Sequence, residues 1–181
     1  MHYSRVIATV LVLGFIFVIG GPAFLAGDGM AAPTEYQVKA AFLYYFVKFV
    51  EWPAGLPDPI TICVLGDDPF GEDLERTIKG KQVHGKDLAI KRSRDLVDLN
   101  RCQIIFVASS EQDRYPEIFE FLGNSATLTV GDTNDFSQLG GMINFFIEEN
   151  KVHFEINLNA ASDARLKISS KLLNVARVER Y

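Results

Sequence analysis

Residues 60–70, ITICVLGDDPF, decide the fold class. Ile60 to Leu65 is a continuous apolar run without the alternation of a half-exposed strand, so burial on both faces is expected, as in a parallel sheet. Gly66 and Asp67 then turn the chain. Asp68 is placed to cap a helix and Pro69 to occupy its first position, with the helix continuing through Leu74 to about Ile78. Strand, turn and helix together open a βαβ unit.

Downstream the same alternation repeats. A polar connection from Gly80 to Lys86 leads to a short strand, Leu88 to Lys91, and Gln103 to Ala108 (QIIFVA) is a second buried strand. Ser110-Glu111-Gln112-Asp113 has the pattern of a capping box opening a helix that lasts to about Leu122, where Gly123-Asn124 ends it. Ala126 to Val130 forms a further strand, followed by a loop from Gly131 to Gly141 with a short turn around Phe136. The last third differs in character. Met142 to Ile147 and Val152 to Leu158 flank Glu148-Glu149-Asn150-Lys151, a tight hairpin turn in which Asn150 takes positive φ. Val152, Phe154, Ile156 and Leu158 alternate with His153, Glu155 and Asn157, a half-buried strand suited to a sheet edge. The tail holds two short helical pieces, the first capped by Asn159 or Ser162 and the second by Ser169 or Ser170. The expected fold is α/β: a single compact domain with a mixed, mostly parallel sheet, helices on both faces and a C-terminal antiparallel hairpin.

Upstream, Thr34 to Pro53 reads as one helix, with Thr34 and Gln37 forming a capping box and Pro53 stopping it. Apolar and aromatic residues cover most of its circumference, so it is either sandwiched or turns one face to a partner. The face with Phe42, Tyr45, Phe46 and Phe49 is expected in the core. The opposite face, with Tyr36, Leu43 and Val47, is expected against a neighbouring helix or a second copy.

Residues 1–31 read as a secretory signal, with Arg5 preceding an apolar run from Val6 to Gly20, then small residues and Pro22. Cleavage points lie between Ala26 and Ala32, and an uncleaved anchor is the alternative. Residues 32–181 then make one exported domain of about 150 residues. The chain has 18 Lys+Arg against 23 Asp+Glu, a net charge of −5, which offers no electrostatic footprint for nucleic acid. In an oxidising compartment Cys63 and Cys102 are open to two readings, a disulfide or two buried free thiols.

Catalytic chemistry finds no support. GxSxG, GxGxxG, P-loop and HExxH patterns are missing from the sequence, and His2, His84 and His153 have no evident partners. No cofactor and no metal cluster is expected. KGKQVHGK, from Lys79 to Lys86, reads as a solvated loop. One small-ligand candidate remains at the carboxyl ends of the parallel strands, where Asp67, Asp68 and Asp132 could line a crevice.

Two longer segments, VKAAFLYYFVKFVEWP (residues 38–53) and VHFEINLNAASDARLKISSKLLNVARV (residues 152–178), follow the export signal in an order and spacing that resemble the YfiR family of periplasmic regulators. The resemblance covers Tyr36 to Arg177. It implies a compact α/β domain, often dimeric and without catalytic activity, that represses an inner-membrane diguanylate cyclase by binding its periplasmic sensory domain. An outer-membrane lipoprotein would sequester the repressor and relieve inhibition. The family's disulfide between the first and third strands implies pairing of Cys63 with Cys102. A second pair found in some relatives falls here on Ser137 and Asn144, so that redox brace is lacking. The expected contact surface is the exposed side of the last hairpin and tail, with Ile143, Phe145, His153, Glu155 and Ile168.

Overall fold

The computed structural model describes residues 32–181; the signal segment and its cleavage region lie outside them. In chain order the elements are α1 (Glu35–Phe49), β1 (Val50–Glu51), β2 (Ile60–Leu65), α2 (Asp73–Ile78), β3 (Gln82–Val83), β4 (Lys86–Ser93), β5 (Ile104–Val107), α3 (Tyr115–Leu122), β6 (Leu128–Gly131), β7 (Ile143–Glu148), β8 (Lys151–Asn157), α4 (Leu158–Asp163), β9 (Lys167–Ile168), α5 (Ser170–Leu173) and β10 (Arg177–Glu179). Eight strands form one sheet in the order β10-β8-β7-β6-β5-β2-β4-β3. The run from β4 through β2, β5 and β6 to β7 is parallel, and β7–β8 and β3–β4 are antiparallel hairpins. The α/β expectation therefore holds, with the buried strands in the centre of the sheet.

Alternation along these strands divides the core in two. Ile60, Ile62 and Val64 of β2 join Ile104 and Phe106 of β5 beneath α1 and α2. Cys63 and Leu65 join Ile105 and Val107 on the other side, against Tyr115 and Ile118 of α3 and the loop residue Phe136. Cys63 and Cys102 are disulfide-bonded there, with Cα atoms 5.8 Å apart. Phe136 is fully buried, and its ring meets Tyr115 at 5.1 Å and Phe119 at 5.5 Å. A Cβ on Gly131 would lie 2.5 Å from the Phe136 ring, so glycine there is a matter of space.

Several local expectations need correction. The Thr34–Gln37 capping box is present, but α1 ends at Phe49, before Pro53, because Val50 and Glu51 pair with Ile168 and Lys167 of β9. Of the four aromatic residues expected in the core only Phe46 is fully buried; Leu43 and Val47 are buried instead, and Tyr45 is 46% exposed. An all-round apolar helix has no pattern that fixes its rotation. Here Lys39 fixes it, since its ammonium is drawn onto Asp132 at the end of β6.

Asp68 does not cap α2. Its carboxylate accepts from the Phe70 N–H at 2.8 Å, Gly71 at φ 53° interrupts the helical path, and α2 starts only at Asp73. Ser110 is likewise no cap, because its Oγ accepts the Asp67 N–H at 2.9 Å and residues Ser109–Arg114 form a 3-10 turn. The α-helix begins at Tyr115, with Pro116 in its first turn, where a missing N–H costs nothing. Nor is β8 an edge: β10 pairs alongside it in parallel, Arg177 opposite Glu155. Asn157, rather than Asn159 or Ser162, caps α4, and Ser169 caps α5 as expected. The polar connection after α2 contains a second two-residue hairpin, with His84 at φ 52° and Gly85 at φ 74° joining β3 to β4.

Candidate partner-binding surface and strand-end crevice

The β7–β8 hairpin is fixed by its turn. Glu149 (φ 49°) and Asn150 (φ 59°) give the doubly positive geometry that suits the twist of antiparallel strands, and the register Glu148 opposite Lys151 follows. Because side chains alternate, that register also decides which residues face outward. Ile143 and Phe145 turn inward, 0% and 1% exposed, with Phe145 at 5.8 Å from Phe46 and 5.9 Å from Phe42. They leave the expected contact surface as a correction: their period-two position puts them under α1.

The outward residues are Phe146, His153 and Glu155, each half-buried. Phe146 stacks on His153 with centroids 5.7 Å apart, and the Arg177 guanidinium from β10 lies 4.3 Å above the Phe146 ring. Arg177 also reaches Glu148 at 3.4 Å. The result is a small polar and aromatic face built from three adjacent strands. Phe146 was legible from the same alternation that exposed His153, whereas Arg177 joins only through the unforeseen strand β10. Asn144, on the same side, is 6% exposed and its Oδ1 has no hydrogen-bond partner among the described residues. Ile168 belongs elsewhere, half-buried opposite Val50 in the two-stranded β1–β9 pair.

At the carboxyl ends of β2 and β6 the three aspartates are engaged separately. Exposed Asp67 pairs with Arg94. Asp68 binds Arg92 at 2.6 Å, and Arg92 also binds Glu75, whose hydrogen bonds hold the guanidinium's pKa above its ordinary value. Asp132, 7% exposed, accepts from Lys39 Nζ at 2.6 Å and from the Tyr36 hydroxyl at 3.0 Å. Lys39 is 3% exposed and also binds Glu35 at 2.5 Å. Burial, then the Asp132 charge, pushes the Tyr36 phenol well above its usual value. This is the geometry of a helix anchor: it seats the start of α1 on the end of β6. Among the described residues no His, Cys, Asp and Glu group is arranged to hold a metal ion. A cleft of about 590 Å³ lies at the opposite, amino ends of the strands, lined by Trp52, Leu56, Pro59, Arg101 and Gln103.

A family model described as YfiR/HmsC-like matches residues 36–177. Among solved structures, the chain is similar to an ABC domain in complex with L-Trp from Streptococcus pneumonia, with a TM-score of 0.54 and 13% identity over 77% of this chain and 60% of that one. It is also similar to a conserved domain protein from Vibrio cholerae O1 biovar eltor, with a TM-score of 0.53 and 12% identity over 77% of this chain and 59% of that one. At such identities the likeness shows the α/β fold alone. The chain spans about 60% of the length of these solved structures.

Proposed function

The chain belongs to the YfiR/HmsC-like family, and from that premise we propose that it is a periplasmic regulator that represses an inner-membrane diguanylate cyclase by binding the cyclase's periplasmic sensory domain. The observation that carries this reading is the family match itself, which runs across nearly the whole described domain. A compatible feature is the N-terminal sequence pattern, which reads as an export signal.

The mechanism needs no bond chemistry. Repression follows if the protein binds the inactive cyclase conformation more tightly than the active one, and its strength is set by that difference in affinity. Moving a cyclase from almost fully active to almost fully inactive takes a preference of about 10⁴-fold. We assign the contact to the outward hairpin face of Phe146, His153, Glu155 and Arg177. An outer-membrane lipoprotein that covers the repressor would restore synthesis, and the family resemblance also allows a homodimer.

Capture of the purified sensory domain by wild type and by an Arg177→Glu, His153→Ala variant tests the contact. Losing a guanidinium over an aromatic ring at an interface centre weakens binding by at least about tenfold. Undiminished capture, with an unchanged thermal melt, removes this face from the interface.

A further inference from the structure

The core accounts for only one face of α1. Lys39, Ala40, Leu43, Phe46 and Val47 are buried, but Tyr44 and Phe49 are half-buried and Tyr45 is exposed. Tyr44 and Phe49 pack in part against the core and flank the outer side of the helix, with exposed Tyr45 between them, so that the three rings run as a strip. Tyr44 and Tyr45 are 5.7 Å apart, and Tyr45 stacks on Phe49 at 6.2 Å with 20° between the planes.

Lysines from three separate elements close on the ends of the strip. Lys48 of α1 and Lys81, after α2, lie 5.5 and 4.7 Å from the Tyr44 centroid. Lys171 of α5 lies 5.6 Å from the Phe49 centroid. All three are exposed, and none forms an ion pair among the described residues, although the chain carries more acidic than basic side chains. Their ammonium groups rest on rings instead of carboxylates. Of the acids near this layer, Asp73 lies at the other end of α1, where it accepts from Gln37 and binds Arg76. Exposed Glu51 follows the strip directly and forms no ion pair with its lysines.

An occupant that complements such a strip would be anionic and would accept aromatic rings at its boundary. A bilayer bearing anionic lipid meets both conditions: lysines are drawn to its surface charge and tyrosine rings settle at headgroup level. A second copy fits less well, since a two-fold axis would set one basic patch against another. A single acidic peptide would have to reach three elements at once, whereas a charged plane meets all three. The strip's side chains line neither the strand-end crevice nor the 590 Å³ cleft.

We propose that the outer face of α1, with Tyr44, Tyr45, Phe49, Lys48, Lys81 and Lys171, docks peripherally on an anionic bilayer. The surface is distinct from the hairpin face, so membrane docking and cyclase binding are separable properties. Flotation of the soluble protein, recovered from producing cells, with phosphatidylcholine vesicles with and without phosphatidylglycerol tests it. Flotation should require phosphatidylglycerol and fall steeply with added salt. Lys48→Glu, Lys81→Glu, Lys171→Glu together should weaken it by at least about a hundredfold, and Tyr45→Ala should weaken it several-fold, with thermal melts unchanged. Absence of flotation, equal flotation on both vesicles, or undiminished binding by the folded triple variant overturns the proposal. So does a triple variant that loses only capture of the cyclase's sensory domain, which would assign the strip to an acidic protein surface.

Discussion

The two faces of the sheet hold their helices by different means. Beneath α1 lies the larger cluster, with Leu43, Phe46, Phe106, Phe145 and Phe154 among its buried members, and one buried ion pair, Lys39 with Asp132. Beneath α3 the cluster is smaller, built from Leu65, Leu96, Leu99, Ile105, Val107, Tyr115, Ile118 and Phe136, and the Cys63–Cys102 bond runs through it. Less apolar burial leaves less to offset chain entropy, and a cross-link lowers the entropy of the unfolded chain instead. One face is positioned by burial and charge, the other by burial and covalent closure.

The largest test of that contrast is reduction. The bond joins residues 39 apart, a loop whose closure stabilises the fold by about 4 kcal/mol in the chain-entropy description. Thermal melts with and without reductant should differ by about ten degrees for a domain of this size. Equal midpoints with both thiols titrated free would mean that the smaller core suffices, and the contrast would fail.

The next largest effect falls on the α1 side. Asp132→Ala leaves Lys39 buried with only the partly exposed Glu35 as counter-charge, and breaking a buried pair in this way costs about 3 kcal/mol. Denaturant unfolding measures it. A loss no larger than that of an exposed ion pair would show that α1 is seated by apolar burial alone.

The smallest effect concerns pH. The Tyr36 phenol is harder to ionise in the folded chain, first because of burial and then because of Asp132. With the folded pKa raised, its contribution is fully present below the unfolded value of about 10 and is lost as pH rises beyond it. Tyr115, on the other face, shifts in the same direction, chiefly through burial. Melts between about pH 8 and 11 should therefore decline, and Tyr36→Phe should decline less. Identical alkaline limbs would show that burial and Asp132 together do not hold the phenol neutral.

What could be read from the sequence followed from signals confined to one segment. ITICVL and QIIFVA announced central strands because a continuous apolar run has few other uses, and Asn150 announced the hairpin because its turn needs positive φ. Signals that depend on a distant partner were not legible. Asp68 and Ser110 each resemble a helix cap locally, but Arg92 and the Asp67 N–H claim them in the fold. The rotation of α1 hinges on Lys39 meeting a residue 93 positions away. At the candidate surface, alternation placed His153 and Glu155 correctly outward. The same alternation, carried across to β7, selects Phe146 over Ile143 and Phe145. Arg177 required β10, a strand of three residues too short to carry a pattern.

The proposed restraint of a membrane cyclase would lower cellular cyclic-di-GMP. Its most direct test measures cyclic-di-GMP in cells expressing an inner-membrane diguanylate cyclase with a periplasmic sensory domain, with the gene for this protein intact, deleted and restored. Deletion should raise the level and restoration should lower it again. An unchanged level across the three strains, with the cyclase present and active, would contradict the account.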